Sequence, residues 1–186
     1  MSYILIGIVV IIVLAIIFFY NRFVTLSNRV KEAWSDIDVQ LKRRYDLIPN
    51  LVETVKGYAA HEAGTLQKVT EMRTRAMNAT APAEKADAEN MLSGALKTLF
   101  AVSENYPNLK ANENIKQLME ELTSTENKVG FARQFYNDIA TKFNISQQTF
   151  PGNIIANMFR FQRSELFEIQ RAEEREAPTV NISLRK

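Results

Sequence analysis

The single histidine, His61, is the first place to look for chemistry in a chain that has no cysteine. Without a thiol, disulfides, thiolate catalysis and cysteine metal sites are all excluded. Some helical bundles hold two metals with a Glu-x-x-His pair on each of two helices. One histidine cannot make two pairs, and Tyr58 stands where the glutamate would be. A Ser-His-Asp triad would need the same histidine. No Gly-x-Ser-x-Gly, His-Glu-x-x-His or Gly-rich phosphate loop occurs. His61 therefore reads as a surface or packing residue. The sequence predicts no enzyme, no catalytic residue, no metal site and no cofactor.

Charge points the same way. The chain carries 23 basic and 21 acidic residues, a net charge of +2, whereas a nucleic-acid binder shows a basic stripe. Lys42-Arg43-Arg44 is the one basic cluster, and Asp36, Asp38 and Asp46 surround it. It reads as a solvated helix face, and no nucleic-acid partner is expected.

What must position any site begins with the first twenty residues. No side chain from Met1 to Tyr20 is charged, and Ile4 to Phe19 is almost wholly Ile, Val, Leu and Phe. A helix over residues 3–20 is about 27 Å long, close to the ~30 Å core of a bilayer. Tyr3, Ile4, Phe18, Phe19 and Tyr20 mark its two ends, with the tyrosines where interfacial aromatics belong. No basic residue precedes the run and no Ala-x-Ala follows it, so it reads as a retained anchor over residues 1–21 rather than a cleaved signal. Arg22, Arg29 and Lys31 on its C-terminal flank place the body in the cytoplasm and a short N-terminus outside.

Beyond the anchor, six glycines and five prolines in a chain rich in Ala, Glu, Leu and Lys predict long helices. An apolar stripe at Val30, Trp34, Ile37, Leu41 and Ile48 continues straight from the anchor, with Arg44 interrupting it. Trp34 reads as a packing residue. Pro49 must kink or end this helix, and a break there is favoured, with a second helix from about Asn50 to Ala79. Thr80 suits an N-cap and Pro82 a helix start. A third helix follows and stops before Pro107, and Asn112 caps a fourth. That fourth helix carries Ile115, Leu118, Leu122, Thr125, Val129, Ala132, Tyr136, Ile139 and Phe143 in alternating steps of three and four, a coiled-coil-like seam. Phe150-Pro151-Gly152 closes it. The predicted fold is all-α: a transmembrane helix followed by an antiparallel up-and-down four-helix bundle over 22–176, with a flexible tail over 177–186.

This connectivity sets two surfaces. Asp46, Asn50 and Glu53 lie by the Pro49 break, while Glu104, Asn105 and Tyr106 lie at the third junction. Both would sit at the end distal to the membrane, either satisfying helix termini or forming a partner-docking surface. The fourth helix returns to the bilayer and delivers Ile154, Ile155, Met158, Phe159 and Phe161, with Arg160 and Arg163 beside them. Those residues make either an interfacial contact with lipid or a packing surface for the bundle base or a second subunit. A mere kink at Pro49 would turn the segment away from the bilayer.

The run from Asn28 to Glu62 resembles the signature of the bacterial LemA family. Its pieces are Val30-Lys-Glu-Ala-Trp34, Arg43-Arg-Tyr-Asp-Leu-Ile-Pro-Asn-Leu-Val52 and Tyr58-Ala-Ala-His-Glu62. Later blocks agree: Tyr106-Pro-Asn-Leu-Lys-Ala-Asn-Glu-Asn114, Thr125-Glu-Asn127, Tyr136-Asn137 and Phe150-Pro151. One departure is Phe159-Arg160-Phe161, where relatives often read Phe-Gly-Phe. The resemblance implies a single-pass bacterial inner-membrane protein with a helical bundle and no established enzymatic activity. Some relatives take part in forming magnetosome membranes, which implies a membrane-organising role by analogy. The function expected is therefore a non-enzymatic, membrane-anchored homo-oligomer that organises or remodels the lipid bilayer or scaffolds membrane partners. The alternative is an adaptor offering its distal polar surface to a soluble signalling or proteolytic partner.

Overall fold

The computed structural model describes residues 2–167. The charged run from 168 onward and the tail over 177–186 lie outside the described residues, as does the end of the domain placed at 176. Every regular element among the described residues is helical. A 55-residue helix, α1 (Ser2–Lys56), is followed by a 3-10 turn (Ala60–Glu62) and then α2 (Ala63–Asn78). Next come α3 (Pro82–Ser103), the single turn α4 (Pro107–Lys110), α5 (Glu113–Gln148) and the short α6 (Gly152–Met158).

α1 is one helix about 80 Å long. Its first apolar window has a mean hydropathy of 3.1 and none of it is buried against the body. From Phe23 onward one face turns inward: Phe23, Val30, Ala33, Ile37, Leu41, Ile48, Leu51 and Val55 are all buried. Each large aliphatic in that stripe contributes about 1.5–3 kcal/mol by leaving water.

The break expected at Pro49 does not occur. Pro49 sits inside α1, which runs on to Lys56, so the second helix does not begin at Asn50. Proline removes the N–H that would reach the carbonyl of Tyr45. Arg73 of α2 supplies the missing donor, its Nε reaching the Tyr45 oxygen at 2.8 Å. With that acceptor satisfied, and Ile48 and Leu51 both buried on either side of the proline, continuing the helix costs less than abandoning the stripe. The chain reverses only after Lys56, where the amides of Tyr58 and Ala59 both bond the Val55 carbonyl. Thr80 is exposed and caps nothing; Ala81 holds the cap position before Pro82, without a side-chain bond. Asn112 does cap α5, accepting from the amides of Asn114 and Ile115 at 3.0 and 3.2 Å.

α1 packs along α5, α2 along α3, and α1 against α2. Between α1 and α5 the partners are Phe23 with Phe143, Trp34 with Tyr136, and Arg43 with Glu121. Residue numbers rise on α1 as they fall on α5. The end of α5 therefore lies beside the point where the apolar N-terminal stretch of α1 meets the body, and α6 packs there against both helices.

Candidate functional site

Where the apolar N-terminal stretch of α1 meets the body, the chain builds an aromatic base. The Tyr20 ring lies 4.7 Å from Phe159 and 6.1 Å from Phe161, and Phe161 lies 5.2 Å from Phe23 and 6.4 Å from Phe143. The Phe150–Pro151 peptide at the turn from α5 to α6 is cis. On α6, Ile155 and Ala156 face inward and are buried, whereas Ile154, Met158 and Phe159 are 52%, 60% and 44% exposed. Three large apolar side chains thus stand free at α6, and one of them, Phe159, lies against Tyr20. Arg160 and Arg163 are exposed next to them.

α6 ends in a Schellman turn. The Arg160 amide bonds the Asn157 carbonyl at 3.3 Å and the Phe161 amide reaches back to Ala156 at 3.0 Å. Arg160 occupies the left-handed position with φ 55°, where a Cβ costs about 1–2 kcal/mol and glycine is preferred. This is the position where the family resemblance leads one to expect glycine. Arg160→Gly should accordingly raise stability by about 1 kcal/mol in denaturant titration, and an unchanged or lower midpoint would contradict the account.

After the turn, residues 161–167 run back along α5 as an extended strap. Asn137 grips Phe167 at both backbone groups, donating to its carbonyl at 3.0 Å and accepting from its amide at 2.8 Å. Asn144 does the same to Ser164, at 2.8 and 2.9 Å. Gln147 donates to the Gln162 carbonyl at 3.3 Å, and the Tyr136 hydroxyl to that of Glu165 at 2.7 Å. Seven helical residues rise about 10.5 Å and three extended residues about 10 Å, so the two asparagines match the strap's repeat. Burial, then the Glu165 charge, raises the Tyr136 pKa, which keeps its phenol a donor. Phe167 is buried 6.0 Å from the Trp34 ring, under the Arg133 guanidinium at 4.6 Å.

Above the strap lies a buried ion cluster. Arg44 is wholly buried and pairs with both Glu89 of α3 and Glu126 of α5. Its Nη1 also reaches Ser93 Oγ at 3.0 Å. Ser93 in turn donates to Glu126, and the Tyr45 hydroxyl donates to Glu89. Arg133 approaches Glu89 at 3.9 Å and donates to Asn90 Oδ1 at 3.2 Å. Arg44 Nη2 meets Glu89 Oε2 as an ion pair without hydrogen-bond geometry, and Arg44 Nε has no partner. Burial pushes the Glu126 carboxyl up, but Arg44, Ser93 and Arg133 together outweigh it and hold the group below its ordinary value. Burial, then the like charge of Arg44, lowers Arg133 to about 10, against the pull of Glu126 and Tyr45. It stays charged at neutral pH. Burial also raises Tyr45, so its phenol remains a donor to Glu89.

The distal end joins two turns. The Tyr106 hydroxyl donates to Glu62 Oε1 at 3.0 Å, and Asn112 Nδ2 donates to the Tyr58 hydroxyl at 2.9 Å. Hydrogen bonding to Glu62, with burial second, raises the Tyr106 pKa. Beside them a groove of ≈ 880 Å³ is lined by residues including Glu104, Leu109, Ile115 and Met119.

A model of the LemA family matches residues 33–182. The chain belongs to the LemA family. It is 31% identical over 156 residues to Protein LemA of Metamycoplasma hominis, covering 78% of this chain and 70% of that protein. It is 28% identical over 175 residues to magnetosome protein MamQ 2 of Paramagnetospirillum magneticum. With MamQ of Magnetospirillum gryphiswaldense the identity is 25% over 174 residues. Both matches cover 80% of this chain and 64% of the relative, so the chain spans less than two thirds of the magnetosome proteins' length.

The motifs of this LemA-family chain converge in space. Tyr58 and Glu62 of one block meet Tyr106 and Asn112 of another at the distal end. Asp46, Asn50 and Glu53 do not join them: they are exposed along unbroken α1, short of the turn. Glu104 and Asn105 are exposed at the junction and Tyr106 is half-buried. Arg44 corrects the reading of Lys42-Arg43-Arg44 as a solvated face, since Lys42 and Arg43 are exposed but Arg44 is not. The interruption of the α1 stripe at 44 was the visible signal. Of the five residues singled out on and just after α6, Phe159 and Phe161 lie against Tyr20, Ile154 and Met158 are exposed, and Ile155 is buried; unbroken α1, not a break at Pro49, is what α6 packs on. His61 is exposed.

Proposed function

We propose that this LemA-family chain is a non-enzymatic, single-pass membrane protein whose helical body forms an antiparallel four-helix bundle seated on the cytoplasmic face of the bilayer. In this reading it self-associates and organises the membrane or scaffolds partners there. The observation that carries it is the base: Ile154, Met158 and Phe159 stand exposed at α6, and Phe159 lies against Tyr20, where the anchor would leave the apolar phase. Apolar side chains flanked by arginines are the composition of an interfacial helix. Such a base ties the body to the membrane surface at two points, which fixes its tilt and gives neighbouring copies a common orientation. The membrane context of the MamQ relatives' name, magnetosome protein, supports the reading by analogy.

Self-association is tested on the full chain in mild detergent by native mass determination over a tenfold range of protein concentration. A discrete assembly of two or more copies is expected. Monomer at every concentration would sink that part of the proposal.

The distal groove favours a second reading, an adaptor for a soluble partner, because Leu109, Ile115 and Met119 line it among carboxylates. Alanine at Glu104 and Asn105 separates the two: lost partner capture with intact membrane effects favours the adaptor.

A further inference from the structure

We propose that the 161–167 strap is exchanged between copies, so that the strap of one chain fills the α5 groove of its neighbour in the membrane. This rests on the self-association proposed above and names the contact that produces it.

Three features of the strap carry the inference. First, the grip is portable. Asn137, Asn144 and Gln147 bind only backbone groups of the strap. Phe167 closes the far end between Trp34 and Arg133. Every one of these contacts is satisfied equally by a second copy's residues 161–167. Second, the closed connection is strained at one place. In the closed form the chain folds its own strap back through the left-handed turn at Arg160, a conformation that non-glycine residues resist. A short strained hinge favours exchange, because opening it relieves the strain and the exchanged contacts are the same. Third, the hinge is beside the anchor, where Phe159 and Phe161 touch Tyr20. Anchored copies therefore hold their hinges at one height. Exchange with the same contacts seats Phe161 of one chain at its neighbour's base, so it requires the two hinges to lie side by side, as copies held at one height can place them. Confinement to one plane also raises the effective concentration of the second strap.

The absence of cysteine makes the test direct. Thr141 lies on α5 between Asn137 and Asn144, and Glu165 lies on the strap between their two partners. Full-length chains carrying Thr141→Cys or Glu165→Cys, differently tagged, are mixed in one membrane and treated with a short bis-maleimide. Exchange predicts a mixed dimer well above that from a control pair, Thr123→Cys with Glu165→Cys. Adding Arg160→Gly to both chains should cut its yield roughly fivefold by relieving the closed hinge.

The proposal is overturned if the mixture gives no more than the control while a Thr141→Cys/Glu165→Cys double variant closes within its own chain. A double variant that closes in neither way overturns the strap's seat and the proposal with it. Native mass separates the two readings. A multimer without strap linkage leaves self-association standing and removes exchange, whereas a monomer removes both.

Discussion

Replacing Arg44 by methionine is expected to cost about 3–5 kcal/mol of folding free energy, although the two side chains have similar length. The guanidinium is wholly buried and holds Glu89, itself fully buried, together with Glu126. Methionine would fill the space and leave Glu89 with only Arg133, at 3.9 Å, and the Tyr45 hydroxyl. An unpaired carboxylate in that environment outweighs any gain from packing. Arg44→Met with Glu89→Met should recover more than half of the loss, because removing both charges removes both desolvation costs. Urea titration followed by the fluorescence of Trp34 reads this well, since the only tryptophan packs on Tyr136 and Phe167. A cost under about 1 kcal/mol for the single variant would mean that water reaches the cluster.

The same cluster gives the wild type an acid limb. The lowered pKa of Glu126 contributes stability that is complete above the ordinary carboxylate value of 4.5 and is lost as pH falls through the lowered one. In Arg44→Met this contribution shrinks, so the fall in stability below pH 4.5, read by the same urea titration, should be shallower than in the wild type.

Gly152→Ala is expected to loosen the base. A Cβ built at Gly152 would stand 2.5 Å from the Ser146 carbonyl oxygen and 3.2 Å from the Phe23 ring. A helix carbonyl cannot swing aside as a side chain can, so α6 would have to lift from α5. Overpacking of this kind costs about 1–3 kcal/mol. It should also weaken the Tyr20–Phe159 contact that joins α6 to the apolar stretch of α1. The control is Gly94→Ala on α3 or Gly130→Ala on α5, where nothing lies within 4 Å of the new carbon. Those two should stabilise by about 0.5–1 kcal/mol, as alanine does inside a helix. If Gly152→Ala behaves like them, the close approach at the base is wrong.

Periodicity made most of the helical content legible, and for a physical reason. The α5 seam from Ile115 to Phe143 is a continuous apolar stripe, and each of its positions is buried or half-buried. Asn112 and Pro82 were legible because caps and helix starts are local chemistry. Pro49 was misread because its remedy is not local. The donor that rescues the Tyr45 carbonyl is Arg73, 28 residues away on another helix. Arg44 was misread for the same reason, since a basic triplet looks solvated until Glu89 and Glu126 arrive from α3 and α5. The strap carried no signal at all. Asn137 and Asn144 are ordinary polar residues on a helix face until an extended segment with matching repeat lies across them. At Arg160 the family's glycine hinted at a special backbone, and the φ of 55° supplies the reason.

The claim on which the rest depends is that the base sits at the bilayer surface. Spin labels on single cysteines introduced at Ile154, Met158 and Phe159 of the full chain in lipid nanodiscs test it most directly. Phe131, exposed on α5 about 18 Å above the level of Phe143, serves as the reference. The account predicts that oxygen, which concentrates in lipid, relaxes the three base labels more than a water-soluble nickel chelate does, with the reverse at 131. Four labels that all respond like 131 would contradict it, and the base would then be a surface for protein rather than for lipid.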